Sequence, residues 1–206
     1  MNPGKRLLDL VIASLVLLIS WPIFVVIALL IKLDSKGPVL FLQSRIGRNG
    51  RLFRMYKFRT MVVNAENMGT GLFSYSDDPR VTRVGKYLRG ASLDELPQLF
   101  NVLEGTMSLV GPRPPVVHEL DGYGLESQLV LRLSVNPGIT GLAQISGRNT
   151  LEWPEKIVLD NQYVERFNRL GILEDLLLLL RTPWAVLSRK DVIEPRRDKP
   201  EDGVTP

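Results

Sequence analysis

Between Leu10 and Ile31 the chain runs through 22 residues of which only Ser14, Ser20 and Pro22 are not apolar. Roughly 20 such residues are enough to cross a bilayer. A secretory signal fits poorly, because the run exceeds the ~7–15 apolar residues of such a peptide and no small-residue cleavage site follows it. A buried helix of a soluble protein carries a polar stripe, and this run has none. Lys5 and Arg6 precede it, and Lys32 and Lys36 follow. Basic flanks mark the cytoplasmic side, so both ends read as cytoplasmic. Pro22 lacks the N–H that bonds the Leu18 carbonyl, and Ser20 is placed to shield freed backbone groups. Two forms satisfy these residues: a kinked spanning helix, and a helix broken at Ser20-Trp21-Pro22 that dips in and returns on the same side.

Composition removes several chemistries from the remainder. With no cysteine there are no disulfides, thiolate zinc sites, Fe–S clusters or thiol nucleophiles. The single histidine, His118, excludes a two-His metal site, and any Ser-His-Asp triad has to run through it. Its plainest reading is a surface or capping residue. Neither G-x-x-x-x-G-K-[ST] nor G-x-G-x-x-G occurs, so P-loop and dinucleotide fingerprints are absent. The net charge of +4 is only mildly basic.

The periodicities give an α+β chain, mainly helical, with one small hairpin. Val39–Gln43 and Leu52–Phe58 read as strands joined at Asn49-Gly50. Short helices are expected over Val84–Leu88 and from Ser92, and a strand over Ile139–Ile145. Longer helices are expected over Pro154–Phe167 and Asp175–Leu187. The last holds five consecutive leucines at 176–180 with Trp184 near its end; too short to span, it suits the membrane interface or the core. The organisation is a membrane anchor over 1–36, a folded body over 37–192 and a charged, proline-punctuated tail over 193–206.

Carboxylates and arginines are left to do chemistry. Arg45, Arg48, Arg51, Arg54, Lys57 and Arg59 lie on the hairpin with no acidic residue among them. They form either a solvated face or a surface for anionic partners, lipid phosphates or a phosphorylated substrate. Ser92-x-x-Glu95 is a capping box with Asp94 as a first-turn acid. The same geometry keeps Asp94 ionised near a helix N-terminus, and an ionised carboxylate can attack phosphorus. Glu95, about 100° away around a helix, is then free to hold a divalent cation. Gly111-Pro112-Arg113-Pro114-Pro115 is either a rigid surface turn or a mount that presents Arg113 with little conformational freedom, suited to pyrophosphate.

Taken in order, these motifs resemble the monotopic phosphoglycosyl transferases of bacterial sugar transferase type, in their small catalytic-domain-only form. The markers are Lys5-Arg6-x-x-Asp9, Ser20-Trp21-Pro22, Gln43-Ser-Arg45-Ile-Gly47 and Tyr56-Lys-Phe-Arg-Thr-Met61, followed by Ser92-Leu-Asp94-Glu95-Leu-Pro-Gln98, Gly111-Pro-Arg113-Pro114 and Pro137-Gly-Ile-Thr-Gly-Leu-Ala-Gln144. The resemblance implies a monotopic membrane protein with a re-entrant N-terminal helix and amphipathic interfacial helices at the cytoplasmic face of the bacterial inner membrane. It implies ping-pong transfer of a phosphosugar from a UDP-sugar to polyprenol (undecaprenyl) phosphate with Mg²⁺, releasing UMP, as a first membrane step of glycoconjugate biosynthesis. Asp94 is then the nucleophile and Glu95 its metal-binding partner. Arg89 and Arg113 hold phosphates with help from Lys57 or Arg59, and Asp175 lies near the lipid phosphate. The implied partners are the UDP-sugar, the polyprenol phosphate and the bilayer, with a homo-oligomer allowed. Two other classes fit the residues alone: a membrane-anchored scaffold in which Asp94-Glu95 is only a cap, and a nucleic-acid binder using the 45–59 stripe. The latter has few aromatic platforms, and the apolar run argues against it.

Overall fold

The computed structural model describes residues 2–68, 78–117, 119–120, 126–147 and 150–187. His118 and the tail over 193–206 lie outside them. The apolar run forms α1, Pro3–Asp34, the one helix among the described residues long and apolar enough to cross a membrane. Asn2 caps its start by accepting from the Gly4 and Lys5 amides, with Pro3 in the first turn, where its missing N–H costs nothing. The helix runs through Ser20-Trp21-Pro22 as one element, with Pro22 inside it. Ser20 Oγ donates to the Val16 carbonyl at 2.6 Å, a back-bond that adapts a helix to local distortion without ending it.

A helix of 32 residues is about 48 Å long, and both of its ends are fastened to the same body. At the start, Lys5 Nζ is buried against Asp175 Oδ2 at 2.6 Å and the Val110 carbonyl at 2.9 Å. One turn on, Asp9 Oδ1 accepts from the Leu109 amide and the Ser108 hydroxyl. At the far end, Asp34 accepts from the Val84 amide, and Ile27 and Ile31 pack with Phe58 and Leu88. Between these ends, Leu18, Ile19 and Trp21 are exposed.

The hairpin follows as β1, Leu40–Ile46, antiparallel to β2, Leu52–Phe58. Its connection is a five-residue loop rather than a two-residue turn: the Gly47 amide bonds the Arg51 carbonyl, and Asn49 and Gly50 both take positive φ. Next come α2, Arg83–Gly90, capped by Thr82, and α3, Gln98–Glu104, which ends at Gly105 with φ +85°. β3, Ser108–Val110, pairs in parallel with β4, Gly138–Thr140, and α4, Glu126–Arg132, lies in the crossover.

The strand expected over Ile139–Ile145 stops at Thr140, and α5, Leu142–Ser146, takes its place. The apolar alternation there serves two short elements. α6, Trp153–Leu170, and α7, Ile172–Leu187, complete the body. The main core joins Ala13 of α1 to Val102, Met107, Leu109, Tyr163 and Leu178. α7 turns Asp175 and Leu178 inward and leaves Leu173, Leu177, Leu180 and Trp184 exposed, the two-faced pattern expected of an interfacial helix.

Lys5 and Asp175 are both nearly solvent-free, with side chains 5% and 1% exposed. Removing one partner of such a pair strands a buried charge and costs about 3–5 kcal/mol. Lys5→Met is therefore expected to lower the thermal midpoint of the purified protein sharply. Arg166→Ala removes a half-exposed contact at 3.9 Å from Glu174, and should change stability by no more than about 1 kcal/mol.

Candidate active site

Asp94 and Glu95 do not sit in a capping box. Ser92 takes φ +56°, a left-handed conformation that costs a non-glycine residue roughly 1–2 kcal/mol, and its side chain caps no helix. The chain turns there from α2 into a single 3-10 turn, Leu93–Glu95, and α3 begins only at Gln98, after Pro97. The reciprocal box forms elsewhere, between Glu152 and Glu155 at the start of α6. Strain of this kind persists where surrounding structure over-determines it, often beside functional groups.

The turn delivers Glu95 to a small cleft lined also by Arg45, Met55, Lys57, Gln98, Arg113 and Gly138, with Asp94 one residue before it in the same turn. Glu95 Oε1 lies 3.2 Å from Lys57 Nζ and 3.8 Å from Arg113 Nη1. Lys57 arrives from β2, where it faces the site while Arg54 points to solvent. Burial lowers the Lys57 pKa, and the charges of Glu95 and Asp94 oppose that shift. Burial raises Asp94 above the ordinary carboxylate range; Glu95 adds to the rise, while Lys57 and Arg89 counter it. The expected helix N-terminus is thus not what sets the charge of Asp94: two cations and desolvation do. Arg89 donates from Nε to Thr60 Oγ1 at 2.9 Å.

Arg113 reaches the cleft from the Gly111–Pro115 loop, which lies between β3 and α4. Gly111 and Gly138 pass so closely that a Cβ on either meets the other's backbone, so this crossing of β3 and β4 demands glycine. Arg45 stands beside Arg113, and its pKa is lowered to about 10 by burial and by the Arg113 charge. The sequence places Arg45 in a basic stripe and in the Gln43-Ser-Arg45-Ile-Gly47 marker, with no role of its own. Its burial, at 7% exposure, depends on contacts with Gln43, Pro114 and Glu119, and no sequence pattern announces them.

Two expected site residues lie elsewhere. Arg59 does not line the cleft: its guanidinium donates to the Ser35 and Lys36 carbonyls and to Ser35 Oγ, clasping the end of α1. Between Lys57 and Arg59, only Lys57 faces the carboxylates. Asp175 is buried, with its oxygens taken by Lys5 and by Tyr163 Oη at 2.8 Å, so it fastens helices and is closed to a phosphate. Burial raises its pKa, and Lys5 counters the rise. The adjacent Glu174 faces Arg166 instead.

Among the described residues no group of three or more His, Cys, Asp or Glu is placed to hold a metal; Asp94 and Glu95 are two adjacent carboxylates in one turn. Two hard oxygen donors suit Mg²⁺, which usually takes one or two protein carboxylates and completes its shell with substrate phosphates and water.

Comparison with known proteins gives a consistent assignment. The profile of the bacterial sugar transferase family matches residues 2–189. The galactosyl transferase CpsE of Streptococcus agalactiae is 47% identical over 195 residues, covering 89% of this chain and 42% of CpsE. The exopolysaccharide production protein ExoY of Sinorhizobium fredii is 40% identical over 201 residues, covering 90% of this chain and 87% of ExoY. A UDP-glucose:undecaprenyl-phosphate glucose-1-phosphate transferase of Escherichia coli is 47% identical over 170 residues, covering 80% of this chain and 36% of that protein. The chain thus spans about two fifths of the length of CpsE and of the Escherichia coli protein, but most of ExoY. With nearly its whole length matched, the chain belongs to the bacterial sugar transferase family.

Proposed function

We propose that this protein transfers a phosphosugar from a UDP-sugar to polyprenol phosphate at the cytoplasmic face of the bacterial inner membrane, releasing UMP. The observation that carries this reading is Asp94 beside Glu95, under the field of Lys57 and Arg89, with Arg113 mounted on a rigid loop across the same cleft. The names of the relatives agree: one acts between UDP-glucose and undecaprenyl phosphate.

In the first step a carboxylate oxygen of Asp94 attacks the sugar-bearing phosphorus of the donor. A bond from that oxygen to phosphorus forms, the bond to the bridging oxygen breaks, and UMP leaves with the electron pair. In the second step a phosphate oxygen of the lipid attacks the same phosphorus and frees the Asp94 carboxylate. Splitting one transfer into two gives each step a good nucleophile and a phosphate or carboxylate leaving group. Such leaving groups need charge neutralisation more than a proton, so a chain with a single histidine suffices. Arg113 and Arg89 serve the donor pyrophosphate, and Lys57 keeps Asp94 ionised while orienting Glu95. Glu95 and Asp94 would hold Mg²⁺, which would add to the neutralisation of the pyrophosphate.

The same reading makes α1 re-entrant. A spanning helix puts its ends on opposite sides of roughly 30 Å of hydrocarbon; here Lys5 and Asp34 are both fastened to one body. The exposed middle of α1 and the outer face of α7 are then the surfaces that enter the lipid.

With UDP-sugar, Mg²⁺ and polyprenol phosphate supplied, UMP release is expected from the wild-type chain and none from Asp94→Asn. Asp94→Glu should lose about 10²-fold, because an extra methylene misplaces the attacking oxygen by ~1 Å. Near-normal release from Asp94→Asn contradicts the assignment.

The pH dependence follows from the same charges. The active form of Asp94 is ionised and its pKa is raised, so kcat/KM should fall on acidification at a pH above the ordinary aspartate value of about 3.9. Lys57→Met removes a charge that lowers this pKa, and should move the acid limb to higher pH. An unmoved limb separates Lys57 from Asp94.

A further inference from the structure

The Gly111–Pro115 loop has no regular secondary structure, yet each of its five carbonyls accepts a hydrogen bond, and the five donor residues come from four different elements. Gly111 accepts from Gln144 Nε2 at 3.3 Å, and Pro112 from the Gly138 amide at 2.9 Å. Arg113 accepts from Arg132 Nη2 at 2.6 Å, Pro114 from Arg45 Nη1 at 2.9 Å, and Pro115 from the Ile46 amide at 3.0 Å. Three prolines fix φ along the loop, and the bonded carbonyls fix the peptide planes. The half-exposed Arg113 side chain is what the loop leaves to face the cleft.

We infer that Arg132, neutralised by Asp160, is a positioning residue that aims Arg113 at the donor pyrophosphate; the inference rests on the proposed function of the cleft. Arg132 is only 2% exposed, and it approaches Asp160 Oδ2 through Nε at 3.0 Å and Nη2 at 2.8 Å. Its guanidinium also lies 5.4 Å from the Trp153 ring centre. A fully buried arginine is costly unless paired, and here its partner carboxylate and its stacking ring both come from α6. The planar fork lets one guanidinium grip Asp160 and still donate to the Arg113 carbonyl, which the point charge of a lysine does not reproduce. The crossover helix α4 and the long helix α6 thus act together on a single backbone oxygen next to the site. A simple packing role for the pair leaves unexplained why a charge-assisted bond is spent on that carbonyl.

The test is a double-mutant cycle on the full chain, read as kcat/KM for UMP release, with Arg132→Lys, Arg113→Lys and the double variant. Asp160→Asn is run in parallel as a second way to loosen Arg132, and thermal midpoints establish that each variant is folded. Arg132→Lys should lose at least about tenfold, with the loss appearing in KM for the UDP-sugar as well as in kcat. In the Arg113→Lys background the same change should cost less than about threefold, because nothing remains to be aimed. Losses that multiply, in folded variants, overturn the positioning role while leaving Arg113 as a phosphate ligand. Full activity of Arg113→Lys overturns both the ligand assignment and the inference.

Discussion

The ammonium of Lys5, buried between the Asp175 carboxylate and the Val110 carbonyl, ties the apolar helix α1 to the strand that launches the Gly111–Pro115 loop. Val110 ends β3, and Gly111 begins the rigid segment carrying Arg113. A charge so placed is tolerated only because every partner is in position. Tyr163 Oη donates to the other oxygen of Asp175 and also approaches Val110. Burial and the neighbouring carboxylates push the Tyr163 phenol pKa well up, so it stays a neutral donor. The N-terminal turn of α1 is therefore part of the body, and the greasy helix is oriented by polar contacts while its apolar middle faces outward.

The cleft solves a related problem in electrostatics. Two adjacent carboxylates repel, and burial penalises the charge of Asp94; Lys57 and Arg113 face Glu95, while Lys57 and Arg89 act on Asp94. The cations are mounted differently. Lys57 stands on a paired strand, Arg89 on a short helix, and Arg113 on a loop whose every carbonyl is occupied. Rigid mounting matters because charge stabilisation of a transferring phosphoryl group depends on donors that need not reorganise during the reaction.

Much of this was legible in the sequence, and the failures have physical causes. The apolar run, the hairpin, α2, α6 and most of α7 follow from periodicity and turn residues, which act locally; α4 carried no such signal. The capping box at Ser92 did not form: Pro97 has no amide hydrogen to extend a helix begun at Ser92, so the chain makes a 3-10 turn and restarts at Gln98. The strand expected over Ile139–Ile145 ended early, because Gly141 breaks the ladder where Leu142 turns into α5. Arg59 and Lys57 looked equivalent in a basic stripe; the hairpin register, Phe41 opposite Lys57, sends one to the cleft, while Arg59 falls beyond the strand against α1. Arg132 and Asp160 gave no local signal, since the two residues lie 28 positions apart on different helices.

The central claim is that Asp94 bonds covalently to the phosphosugar. Mass spectrometry of the wild-type protein mixed with UDP-sugar and Mg²⁺, without lipid acceptor, tests it most directly. The account predicts stoichiometric UMP and a phosphosugar adduct on the peptide that contains Asp94, discharged when polyprenol phosphate is added. UMP appearing only when the lipid is present, with no adduct under rapid quench, means direct transfer between the two substrates and contradicts the mechanism.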